Sequence, residues 1–201
     1  MLAAAFLAAV VPAAAHADGD PASDFLLTED VFVPLDAKVP TAQAGQLTAL
    51  VADAVKGGYR IKVALIATRF DLGSVTALWR QPQPYARFLG QELYYVYRGR
   101  LLIVMPNGYG IYHRGKPVAA ERRLLDSLAP PGPSGARLAT AAGVAVQRLA
   151  RQAGLRLALP AAQAPANHTN RDRLEILAIV LCISAIGALI FVPRRRRRAS
   201  G

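Results

Sequence analysis

Residues 176–193 carry no formally charged side chain, and the run from Ile176 to Val192 is apolar around its whole circumference. About 20 mostly apolar residues are what a helix needs to cross the hydrocarbon layer of a bilayer. A water-soluble surface helix would keep a polar face, and Ile176, Leu177, Ile179, Val180, Leu181, Ile183, Ile186, Leu189, Ile190 and Phe191 leave none. Pro193 and five arginines follow at once. Lys and Arg beside a span are retained on the cytoplasmic side. The reading is therefore a transmembrane helix over 174–192 and a basic cytoplasmic tail over 193–201. Arg194, Arg195, Arg196, Arg197 and Arg198 set the topology, and all that precedes Leu174 is expected outside the cytoplasm. A buried C-terminal helix is the plain alternative.

The other terminus agrees with export. Met1 to Val11 is apolar, Pro12 breaks it, and Ala15-His16-Ala17 fits the small-x-small cleavage pattern of a signal peptide over 1–17. No Lys or Arg precedes the run, so retention as a second anchor stays open. The net charge of +11 owes five units to the tail, and 11 − 5 leaves +6 for the rest. Such a tail orients a span and meets anionic lipid, so the bilayer is an expected partner and nucleic acid is not. Cys182, the single cysteine, lies within the apolar run, which excludes an intrachain disulfide. Abundant arginine and alanine point to a bacterial, GC-rich source.

Between the two ends, Asp18 to Asp36 holds six acids and no base. Its first part, 18–30, reads as a solvated acidic leader, and Val31-Phe32-Val33 as an edge strand. Leu47, Leu50, Val51, Ala54 and Val55 recur at helical steps, predicting a helix over 43–55 with Thr41 as N-cap. Ile61 to Ala67 is apolar on both faces, the mark of an internal and parallel strand. Asp71 or Ser74 is placed to cap a short helix, which Pro82 and Pro84 interrupt. A helix over 85–95 and a second central strand over 100–106 follow. Asn107-Gly108 is a hairpin turn, with Tyr109 to His113 as the antiparallel partner. Helices are expected over 117–128 and 136–152, the latter with Leu138, Ala142, Ala145, Val146 and Leu149 facing inward. Residues 160–173, rich in Ala, Pro and Asn at their start, read as a tether. A strand, a crossover helix and a second strand suggest a right-handed βαβ unit. The expected fold class is α/β, a mixed sheet sandwiched by helices over 31–159, plus one C-terminal transmembrane helix.

The helix LTALVADAV, the strand IKVALIA, the helix YARFLGQEL, the strand LLIVMP and the following Gly108-Tyr109-Gly110, in that order, resemble the TPM-domain family. The resemblance covers roughly Val31 to Gly154. It implies an α/β extracytoplasmic domain tethered to a membrane, acting as an accessory beside membrane or envelope protein complexes. Where the family carries an Asp-Asn pair before the second core strand, this chain reads Arg98-Gly99-Arg100. A divalent cation and the phosphatase activity known in the family are therefore the alternative, and no cofactor is the first expectation.

The residues themselves agree with a binding role. No G-x-S-x-G, H-E-x-x-H or P-loop motif is present. His113 on the hairpin and His168 in the tether do not make a zinc set. Asp71 follows the first core strand, where α/β sheets place ligands. It is the candidate metal ligand, with helix capping as its simpler task. The densest unusual composition is Tyr94, Tyr95, Tyr97, Arg98, Arg100, Tyr109, Tyr112, His113 and Arg114. Tyrosine and arginine anchor protein interfaces, and Tyr94, Tyr97, Arg98, Arg100, Tyr109 and Arg114 form the candidate partner-binding surface. The ordinary alternative is tyrosines alternating between core and surface.

Overall fold

A computed structural model describes residues 19–158. The expected signal peptide, tether, transmembrane helix and basic tail lie outside those residues. Among the described residues no helix is long and apolar enough to cross a membrane.

Four strands form one sheet in the order β1 (Val31–Phe32), β2 (Ile61–Leu65), β3 (Arg100–Met105) and β4 (Gly108–His113). The first three are parallel and β4 returns antiparallel to β3. Side chains alternate across a strand, and here both sets are apolar. Val31, Ile61, Val63, Leu65, Leu102, Val104 and Ile111 point to one face. Phe32, Ala64, Ile66, Leu101, Ile103 and Met105 point to the other. Each face needs a cover, and helices supply both.

The first face is covered by α2 (Thr41–Lys56) and α5 (Gly135–Gln152), with Leu125 of α4 (Ala119–Asp126) at the margin. Leu47, Leu50, Val51 and Ala54 of α2 meet the five residues of α5 expected to face inward, all of them buried. The second face is covered by α1 (Pro21–Thr28), α3 (Pro82–Glu92) and Leu72 of a 3-10 stretch, Arg69–Leu78, kinked at Gly73. A mixed sheet between helical layers is the expected α/β class.

The crossovers carry a consequence for handedness. From β1 to β2 the chain crosses the first face through α2, and from β2 to β3 it crosses the second through α3. Both steps move the same way across the sheet. Two parallel crossovers that step alike on opposite faces have opposite hands, so the right-handed rule holds for only one of them.

The acidic leader needs correction. Residues 21–28 are a helix, with Ala22 and Leu26 at 0 % exposure in the second core. Asp20 is its N-cap, accepting from the Ala22 amide, and Pro21 starts it, where a missing N–H costs nothing. Phe25 meets Phe32 of β1 edge to face, centroids 5.7 Å apart. The Asp20 carboxylate also accepts from the Tyr85 hydroxyl of α3 at 2.7 Å. Its other oxygen, Oδ2, is buried without a partner, and burial pushes its pKa up to about 6. Lys62 fastens the next segment by donating to the Glu29 carbonyl at 2.6 Å and pairing with Asp30 at 3.1 Å. Two bonded acids and two core residues make this stretch part of the domain.

Smaller corrections share a theme. The break expected before the prolines is present, since the 3-10 stretch stops at Leu78, but α3 opens at Pro82 and not at Tyr85, with both prolines in a first turn whose backbone amides need no intrahelical acceptor. Thr41 is the first residue of α2 and Pro40 its cap, so no side chain closes that end. Met105 pairs with Gly108, which moves the hairpin turn to Pro106-Asn107. Helix α4 is two residues shorter at each end than the expected 117–128.

Candidate functional site

Helix α3 ends at Glu92, three residues before the expected Tyr95. The chain then folds through turns in which the Val96 and Tyr97 amides both donate to the Leu93 carbonyl, at 3.2 and 2.9 Å. These turns sort the side chains. Leu93 and Tyr97 go inward, while Tyr94, Tyr95 and Val96 stand outside at 40, 90 and 62 % exposure. Arg98 is exposed beside them.

The antiparallel return of β4 brings Arg114 to the same place. Its guanidinium lies 3.5 Å over the Tyr94 ring and donates to the Tyr94 carbonyl. Tyr94 in turn meets Tyr95 edge to face at 5.2 Å. Tyr94, Tyr95 and Val96, with Arg114 stacked on Tyr94 and the exposed Arg98 close by in the chain, thus make one rim that combines apolar area and cations. Three of the six expected surface residues belong to it.

The other three have inward tasks. Tyr97 donates its hydroxyl to the Arg100 carbonyl at 3.2 Å, and its ring takes Lys62 and Arg60 at 5.3 and 5.9 Å. Burial pushes that hydroxyl pKa upward. Gly99 permits the arrangement, since a Cβ there would sit 2.3 Å from the Tyr97 hydroxyl oxygen. Arg100 binds Glu121 of α4 through Nε at 2.6 Å and stacks 4.3 Å over Tyr59. That ties β3 to both α4 and the segment entering β2. Tyr109 sits at the far end of β4, about 14 Å from His113 at the usual strand rise, and donates to the Ala129 carbonyl at 3.1 Å. None of the three is free to anchor a partner at the rim. Tyr95 and Val96, absent from the expected surface, belong to the rim. The signal was the loss of helical spacing after Leu93 in Tyr94-Tyr95-Val96-Tyr97.

Asp71 caps. One oxygen, Oδ2, accepts from the Ala67 and Thr68 amides, both at 2.7 Å, closing the start of the 3-10 stretch after β2. Among the described residues no three His, Cys, Asp or Glu side chains are grouped to hold a metal ion. Asp71→Ala is expected to lower unfolding free energy by about 1–2 kcal/mol, the usual value of such a cap. A rise in Tm with millimolar Ca²⁺, Mg²⁺ or Mn²⁺ that this substitution removes would return the metal role to it.

His113 is half-buried at the end of β4. Burial first, then the Arg100 charge, lowers its pKa, which favours the neutral ring. No carboxylate is bonded to it among the described residues, so it lacks the orienting partner of a general base. No known protein family, curated protein or solved structure matches this chain.

Proposed function

We propose that this chain is a membrane-tethered, extracytoplasmic binding module of TPM-like type that docks on a membrane or envelope protein without catalysing a reaction. One observation carries the reading: Tyr94, Tyr95 and Val96 are consecutive exposed apolar residues, with Arg114 stacked on Tyr94 and the exposed Arg98 two positions beyond Val96. Exposed aromatics are costly to leave in water unless something covers them, and paired with arginine they resemble an interface hot spot. The helix–strand order behind the TPM resemblance recurs in the helix-covered mixed sheet. The apolar run at 174–192 supports the tether. The hydrolase alternative has no comparable support, because Asp71 is engaged as a cap.

Two experiments test the proposal. A cysteine replacing Tyr95 should react with a membrane-impermeant maleimide on intact bacteria producing the full chain. Reaction only after lysis would sink the extracytoplasmic placement. A photocrosslinking residue at position 95 should give a discrete adduct in native membranes, one missing when it is placed at Asp126 and lost with Arg98→Glu. Arg98 makes no salt bridge among the described residues, so that variant should keep the wild-type Tm. Identical adduct patterns from positions 95 and 126 would overturn the docking surface.

A further inference from the structure

A cleft of about 380 Å³ lies between α3 and the loop that leads from β4 into α4. Arg87 and Gln91, one helical turn apart on α3, line one wall. Lys116 of the loop and Arg122 of α4 line the other, with His113 and Ile111 of β4 also in the lining. This is a separate feature from the rim, which contributes no residue to it.

The cleft has an uncompensated charge. Arg87, Lys116 and Arg122 make no salt bridge among the described residues. The acid nearest in the chain, Glu121, is committed to Arg100 at 2.6 Å. No carboxylate lines the cleft. Val118, the N-cap of α4, does line it, so the positive end of that helix lies beside the three cations. Three like charges around one concavity raise the positive potential there and draw an anion to it. Planar guanidinium forks on opposite walls suit an oxyanion they can grip with paired N–H bonds. The volume falls within the range of small-ligand sites, roughly 300–1,000 Å³. The scaffold is rigid too, because the Gln83 amide holds α3 to β4 through two bonds with Ile111, at 2.9 and 3.1 Å.

We infer that this cleft is a binding site for a phosphate-bearing anion, gripped by Arg87 and Arg122 with Lys116 supplying further positive charge. The same chemistry is offered by a soluble phosphate ester and by an anionic lipid headgroup. Nothing in the inference depends on the docking rim, and no bond is made or broken.

The experiment uses the full-length chain in neutral detergent micelles and follows the His113 ring by NMR, assigned through its loss in His113→Asn. In one arm inorganic pyrophosphate is titrated, and in the other the micelles are doped with phosphatidylglycerol. A bound anion offsets the positive surroundings of His113, so its pKa should rise in at least one arm. Response to pyrophosphate alone identifies a soluble ligand, and response to lipid alone a headgroup. Arg87→Gln with Arg122→Gln should weaken the response at least about tenfold, as expected when charge-assisted bonds are lost. Arg151→Gln, on the exposed end of α5, should leave it unchanged. Both variant side chains are exposed, so folding should survive, which the Tm confirms. No response in either arm, or equal responses from wild type and the double variant, overturns the site.

Discussion

Gly110→Ala should cost this protein a large part of its stability, by about 3 kcal/mol or more, through a single added methyl group. The Cβ would lie 2.0 Å from the Pro82 carbonyl oxygen and 2.8 Å from the Gln83 nitrogen. Both are backbone atoms of the first turn of α3, so no rotamer change can make room. Helix and strand would have to part, and the paired bonds between Gln83 and Ile111 would go with them, at about 1 kcal/mol each. Gly90 provides the reciprocal fit, since a Cβ there would meet the Tyr112 ring at 2.2 Å. Gly45 supplies the control. It is exposed inside α2 with nothing within 4 Å of its added Cβ, and alanine there should raise stability by about 0.5–1 kcal/mol. Urea unfolding of the two variants should shift the midpoint in opposite directions. A Gly110→Ala midpoint within error of wild type would mean that α3 does not rest on β4 as described.

The contribution of Asp20 to stability should fall as pH rises from 4 to 7.5. Its pKa is raised by burial from 3.8 in the open chain to about 6 in the fold. Between those values the unfolded chain has released the proton while the folded chain still holds it. Unfolding then releases protons, so the favourable contribution is complete below the unfolded pKa and is lost as pH rises through the folded one. At about 1.36 kcal/mol per unit the total is about 3 kcal/mol. Asp20→Asn keeps an oxygen for the Tyr85 hydroxyl and the Ala22 amide while removing the titration. The stability difference between the Asp20→Asn variant and wild type should move in the variant's favour by most of that amount between pH 4 and 7.5. A pH-independent difference would show that Asp20 ionises freely. Near neutral pH, α1 is thus held by its apolar contacts against a buried charge, and acid strengthens its hold.

The central strands and α5 were legible because periodicity reports burial. Ile61 to Leu65 is apolar at every position but Lys62, and it is covered on both faces. Helix α1 was not, because five of the acids around it dominate the composition of a stretch whose buried residues are only Ala22 and Leu26. Its start was nonetheless written in the chain as Asp20 followed by Pro21, a cap and a first-turn proline. The candidate surface shows a different limit. Tyr94 and Tyr97, or Arg98 and Arg100, are alike as residue types, and what separates them is a turn geometry and a partner elsewhere. Arg100 is drawn inward by Glu121, 21 positions away. Spacing along the chain does not report such a pairing. The capping task of Asp71 is legible by the same local logic that reads helix starts, since its partners are three and four residues away.

The four strands lie in the sheet in the order in which they are synthesised. A chain emerging one end first, from a ribosome or from a translocation pore, can therefore lay each strand against the free edge left by the previous one. No strand has to be inserted between two already paired, and no earlier pairing has to be undone. The last of the described elements, α5, completes the cover that α2 begins on the first face, so part of that side of the sheet stays bare until α5 itself has emerged.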